Sequence, residues 1–284
     1  MVTLRWELIK NKAVRFINSG YQLPQCYISS NPYGGSTGIY SLLGCLAIMN
    51  GGAWVVVRFY YNSRYLIQGV ILGFNNYQYP IVPANATPWV YIGTNGALYF
   101  GDATSSGSMQ VSFPLTNGFH TLIGGEYYSG GTYYVFACLD STSNCQSVSS
   151  TSLPQLFGAF NYYQYGYIGT GFGGLANSPL GWYFYNGYIQ YIALYGGNSP
   201  NIQSQLAQWL QQTGGKSIPP TISGAGPYAL YLPISLSTDG SVWFDMSGNN
   251  NDATQVITYT AYNNYNPLSM IMTSPGILEI LPGE

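Results

Sequence analysis

The chain has 284 residues, enough to bury a large core, and 46% of them are hydrophobic, which excludes global disorder. Only 6% are charged, against about 25% in an ordinary globular protein, and 29 tyrosines and 36 glycines fill much of the difference. One histidine and nine acidic residues make a thin catalytic inventory, and three cations outside the first fifteen residues are too few for a basic nucleic-acid stripe.

The N-terminal segment 1–19 holds five charges, Arg5, Glu7, Lys10, Lys12 and Arg15. Leu4, Leu8, Ile9, Val14 and Ile17 fall roughly on one side of a helix, so the segment is expected to be a charged N-terminal helix, or else an edge strand. It has no apolar stretch of the signal-peptide type, and no apolar run anywhere in the chain is long enough for a transmembrane helix.

From residue 20 the texture changes to short strands. The runs at 54–61, 65–74, 89–94, 97–102, 109–115, 120–128, 132–140, 165–170 and 181–197 are rich in aromatic and β-branched residues and are bounded by Gly, Asn, Pro or Ser. Asn-Gly pairs at 50–51, 95–96, 117–118 and 186–187 mark tight turns. Segment 199–215 reads as a helix over 200–212, capped by Ser199, opened by Pro200, carrying Leu206, Trp209 and Leu210 on one face and stopped by Gly214. A Pro/Gly linker follows at 216–227, then a C-terminal β segment, 228–284. The expected fold is an all-β antiparallel jelly-roll sandwich over 20–215. The C-terminal segment either completes that sandwich or is donated to a neighbouring chain.

Four cysteines allow three pairings. Cys138 and Cys145 flank a polar turn and are candidates for one bridge, which leaves Cys26 and Cys45 for the other; four free thiols are the alternative.

Several motifs together resemble the laminin-G-like members of the concanavalin-A-like jelly-roll superfamily. Residues 245–254 (DMSGNNNDAT) are similar to the family's opening Asp-x-Ser-Gly-Asn motif, and 118–122 (GFHTL) to its middle strand. Residues 167–174 (YIGTGFGG), 184–195 (FYNGYIQYIALY) and the helix after them follow its closing strands. The resemblance covers most of 50–260 and implies a lectin-like sandwich. Two departures stand out. Gln190 replaces the family's usual acid, and the opening motif comes after the closing strands. The composition also resembles surface and virion proteins of thermoacidophilic archaea and their viruses.

Candidate sites are few. Sandwich glycosidases need two carboxyls a fixed distance apart, and Glu126 stands isolated in the sequence. His120 with Asp140 lacks a Gly-x-Ser-x-Gly elbow, and the glycines at 169–174 lack a following helix and a Walker lysine. No catalytic residue is assigned. Calcium is the metal that Asp245, Asn249 and Asp252 would suit, since they offer oxygen ligands in one short loop. Trp89, Tyr91, Tyr162, Tyr163, Tyr165, Trp182 and Tyr183 are candidates for stacking on sugars or on a protein partner. Asn85 is the one glycosylation sequon. The expected function is therefore non-enzymatic: an extracellular, cell-surface or virion structural or adhesion protein. It would assemble with itself or with other structural proteins and bind glycans. A glycoside-hydrolase-like enzyme and a free-standing lectin are the alternatives.

Overall fold

A computed structural model describes residues 6–16, 19–64, 68–78, 81, 86–104, 107–158, 164–174, 180–198, 200–256 and 277–280. In chain order the strands are β1 (Lys12–Arg15), β2 (Tyr21–Gln22), β3 (Gln25–Ile28), β4 (Gly38–Ser41), β5 (Gly52–Tyr61), β6 (Gly69–Asn75), β7 (Ala86–Ile92), β8 (Ala97–Thr104), β9 (Gly107–Pro114) and β10 (Gly118–Ser129). They continue as β11 (Thr132–Leu139), β12 (Cys145–Ser150), β13 (Tyr165–Ile168), β14 (Thr170–Gly174), β15 (Leu180–Phe184), β16 (Tyr188–Gly196), β17 (Ala229–Leu236), β18 (Val242–Asp245), β19 (Ala253–Gln255) and β20 (Ile277–Ile280). Helix α1 (Leu42–Asn50) lies between β4 and β5, and α2 (Pro200–Thr213) between β16 and β17.

Two layers form an antiparallel jelly-roll sandwich. One runs β12-β11-β10-β5-β16, and β16 then pairs with β1 at one end and with β17 further along. The other runs β9-β8-β7-β6-β13-β2-β19-β18 and returns through β17 to the first. On the far side Gln146 of β12 donates to the Ser112 carbonyl of β9 at 2.6 Å, so the sheet is nearly closed. Segment 228–256 thus adds strands to the same sheet, and the Val256 N–H donates to the Gly20 carbonyl.

The main core fills the space between the layers, with Val55, Val57, Phe59, Leu72, Trp89, Phe100 and Leu122 among its members. A second core lies outside the β5 layer. Trp54, Val56, Tyr191 and Tyr195 point outward there and are covered by Ile202, Leu206, Trp209 and Leu210 of α2. Apolar residues at both parities of β5 are explained by these two cores, because the strand is buried on both faces. Gly214, at φ +59°, donates to the Leu210 carbonyl and ends α2.

The expected N-terminal helix is not present over 6–16. Trp6–Leu8 make one 3-10 turn, and Lys12–Arg15 pair with Tyr188–Ile189 of β16 and with β20. A short uncapped helix is marginal in water, and burial of Ala13 and Val14 against the sheet outweighs it. Disulfides join Cys26 to Cys45, tying the separate β3–β4 hairpin to α1, and Cys138 to Cys145, which face each other across β11 and β12.

Candidate functional site

The outer face of the β6–β9 layer carries a cluster made of Val70, Tyr91, Tyr99 and Tyr183. Tyr91 and Tyr99 are direct cross-strand partners, joined through the turn at Asn95-Gly96. Their rings are 4.9 Å apart and 7° from parallel. The Tyr91 hydroxyl donates to Gln110 Oε1 at 3.3 Å, and Asn95 Nδ2 donates to the Tyr99 hydroxyl at 2.9 Å. Burial, and after it Tyr99, pushes the Tyr91 phenol up to about 12, so the face offers hydrogen bonds without charge.

Two β-bulges create this face. Pairing shifts between Val70 and Leu72 and again between Leu72 and Gly73, where Trp89 is the extra residue on β7. Trp89 and Val90 therefore both point inward, and Tyr91 points out. Trp89 is fully buried and donates to Glu126 Oε2 at 3.1 Å, so it is not available to a ligand as the sequence reading expected.

The β14–β15 hairpin lies across part of the same face. A Cβ on Gly171 would meet the Val70 side chain at 2.7 Å, and one on Gly173 would meet Pro88 at 2.7 Å. The glycines of 169–174 thus permit strand-on-sheet approach. Trp182 packs edge-on against Tyr167 and Phe172, while Tyr183 joins the Tyr91 cluster. Tyr165 is half-buried at the start of β13, opposite Asn75. Tyr162, Tyr163 and Asn85 lie outside the described residues. Sequence reasoning missed Tyr99 and Gln110, although the Asn-Gly turn sets the register that brings Tyr99 to Tyr91.

The calcium-candidate loop is occupied by its own backbone. Asp245 Oδ1 accepts from Leu230 N and Ser247 N, and Oδ2 from Ser247 Oγ and Asn251 N. Asp252 Oδ1 accepts from Asp245 N, and Asn249 Nδ2 donates to the Tyr228 carbonyl. Among the described residues no three His, Cys, Asp or Glu side chains are grouped to hold a metal.

His120 is also fully engaged. Nδ1 meets Asp140 Oδ2 at 2.7 Å and Nε2 meets the Thr116 carbonyl at 2.7 Å. Burial lowers the pKa of the imidazole, but these two acceptors outweigh it and leave it raised. Beside it Arg58 is buried, donating from Nε to Gln190 Oε1 at 2.8 Å and from Nη1 to Thr121 Oγ1 at 3.1 Å. Gln190 Nε2 in turn donates to the carbonyls of Ile9, Lys10 and Lys12. Gln190 needs an amide here, because a carboxylate cannot donate to carbonyls.

Glu126 is not isolated in three dimensions. It and Asp102 are both fully buried between the layers. Burial first, then the charge of Asp102, holds the Glu126 carboxyl well above the usual carboxylate range. Its Oε1 has no hydrogen-bond partner. Asp102 Oδ1 accepts from Thr87 Oγ1 at 3.2 Å and Oδ2 from Leu156 N at 2.5 Å. Thr87 Oγ1 also lies against Gln155 Oε1.

No protein-family model and no curated protein matches the chain. Among solved structures it is similar to a variant of the NanB sialidase from Streptococcus pneumoniae, at 17% identity and a TM-score of 0.39 over 66% of this chain and 27% of that one. It is similar to the Ruminococcus gnavus IT-sialidase CBM40, at 14% identity and a TM-score of 0.38 over 67% of this chain and 98% of that one. The tailspike protein 2 of bacteriophage CBA120 is similar at 11% identity and a TM-score of 0.36, over 66% and 30%. The chain spans about a quarter of the NanB chain.

Proposed function

We propose that this is a non-enzymatic, lectin-like sandwich of laminin-G-like type, working outside the cell as a surface or virion structural protein. On this reading it binds glycans on the outer face of the β6–β9 layer. The observation that carries it is the half-buried ring of Tyr99 beside Gln110, held in place by stacking on the buried Tyr91. Aromatic faces pack on the apolar faces of sugars, and neutral amides and phenols satisfy their hydroxyls. Self-association is the second part of the reading. Tyr27 and Ile39 are cross-strand partners on the β3–β4 hairpin, and both stand exposed, Tyr27 at 71%. Two disulfides and a surface nearly free of charge suit an oxidising exterior.

The absence of catalysis is supported by how the acid–base groups are used. Both nitrogens of His120 face acceptors, and Glu126 and Asp102 are closed off between the sheets. A glycan array with the whole chain, followed by titration calorimetry on hits, tests the proposal. Binding lost in Tyr99→Ala and weakened in Gln110→Ala is expected. Binding indifferent to both, or none at all, would overturn the site. Turnover of a polysaccharide that disappears in Glu126→Gln would replace the reading with an enzymatic one.

A further inference from the structure

The cluster around Asp102 has more chemistry than a hydrogen-bond network requires. Only nine residues of the chain are acidic, and two of them, Asp102 and Glu126, are buried together in the main core. Burying acids costs free energy that ordinary packing does not recover. What surrounds them is specific. Thr87, itself buried on β7, turns its hydroxyl toward the side-chain carboxamide of Gln155. Gln155 opens the 3-10 turn Gln155–Phe157. Asp102 on β8 does two things: Oδ1 accepts from the Thr87 hydroxyl, and Oδ2 accepts the N–H of Leu156, the residue next to Gln155. One carboxylate thus holds a hydroxyl and, through the backbone, the turn that brings a carboxamide to it.

We propose that Thr87 and Gln155 form an intramolecular ester cross-link. The hydroxyl proton passes to Asp102 as Oγ1 of Thr87 attacks Cδ of Gln155. The Oγ1–Cδ bond forms, Asp102 passes that same proton on to Nε2, the Cδ–Nε2 bond breaks, and the nitrogen leaves as ammonia. No oxidant, metal or cofactor enters the balance. Asp102 is the catalytic residue because it touches the attacking oxygen. Glu126 is a positioning residue: it faces Asp102 as a neutral carboxyl, kept protonated by burial, and so keeps Asp102 from sharing the site with a second negative charge. A weak nucleophile and a poor leaving group react because the fold holds them together, where effective molarities reach about 10⁵–10⁸ M. Gln155 is only partly buried, so ammonia has a way out. The bond would link β7 to the 3-10 turn Gln155–Phe157 that follows β12.

The test is the intact mass of the natural chain, with a protease digest sequenced by tandem mass spectrometry. The expected result is a chain lighter than its disulfide-bonded sequence mass by one ammonia, and a branched peptide joining Thr87 to Gln155. Asn-Gly succinimides also lose ammonia, so the branched peptide, opened by hydroxylamine, is the deciding species. Gln155→Ala and Thr87→Ala should each restore the full mass. Asp102→Asn should accumulate unlinked chain, and Glu126→Gln should keep linking. A folded natural chain with the full mass and no branched peptide overturns the proposal, whatever the variants do.

Discussion

Replacing Gln190 by leucine keeps the volume and removes both ends of its amide. The change removes the 2.8 Å acceptor of the buried Arg58 Nε and the donors reaching the carbonyls of Ile9, Lys10 and Lys12. A hydrogen bond to a charged group contributes about 1.5–3 kcal/mol and a neutral one about 0.5–1.5 kcal/mol. With two N–H groups on the amide, the expected loss is about 3–5 kcal/mol. For a chain of 284 residues that corresponds to a fall in Tm of roughly 5–8 °C. Near-UV circular dichroism follows the melt directly, because 29 tyrosines report on packing. Gln190→Glu should fall between: it keeps an acceptor for Arg58 but turns a carboxylate toward three carbonyls. Limited proteolysis should cut near β1 first in Gln190→Leu. A fall of less than about 1 kcal/mol, or a Glu variant more stable than the natural chain, would refute the role given to this residue.

The pH profile follows from three groups. Glu126 and His120 both have raised folded-state values, so their contributions are complete below about 4.5 and 6.5 respectively and are lost as pH rises through the folded values. Tm should therefore fall from pH 4.5 to pH 8, and Glu126→Gln should flatten the Glu126 part; a Tm rising over that range would sink the assignment. Asp239, fully exposed and held down to about 2 mainly by the Ser241 N–H, sets the opposite limit, its contribution being lost as pH falls from 3.8 toward 2. Reducing Cys26–Cys45, whose ends are 19 residues apart, should cost about 3 kcal/mol by loop entropy and free the β3–β4 hairpin, seen as faster amide exchange there. Gly125→Ala should destabilise by about 2 kcal/mol or more, since its Cβ would lie 2.2 Å from the Trp54 ring, which stacks on Tyr127; equal melting temperatures would contradict that packing.

Much of the fold could be read from strand texture. The apolar run at 54–61 lies in β5, and the helix expected over 200–212 is α2, because a period of 3.6 with Pro at its start and Gly after its end leaves little choice. Helix α1 escaped for the opposite reason. Leu42 to Ile48 are all buried, so there is no polar face to reveal a period. The N-terminal segment misled because its helical spacing is real but its carbonyls are claimed by Gln190, 180 residues away in sequence. The site was half legible. Tyr91 and Tyr183 were named, whereas Trp89 was assigned to the wrong face by a bulge that alternation does not announce. Asp102 and Glu126 belong to different strands, and nothing local in either run points to the other.

Strand β2 has two residues, and it is hydrogen-bonded to β13 on one side and to β19 on the other. Tyr21 and Gln22 therefore emerge from a ribosome early but wait for Thr254 and Gln255 before their second edge is covered. Until then the nascent chain holds an open β edge while most of its aromatic strands are already made, and contacts this distant are slow to close. Low charge, so useful to the finished surface, gives that intermediate little electrostatic protection from its neighbours. Synthesis of this protein should depend on slow translation or a holding chaperone more than its final stability suggests.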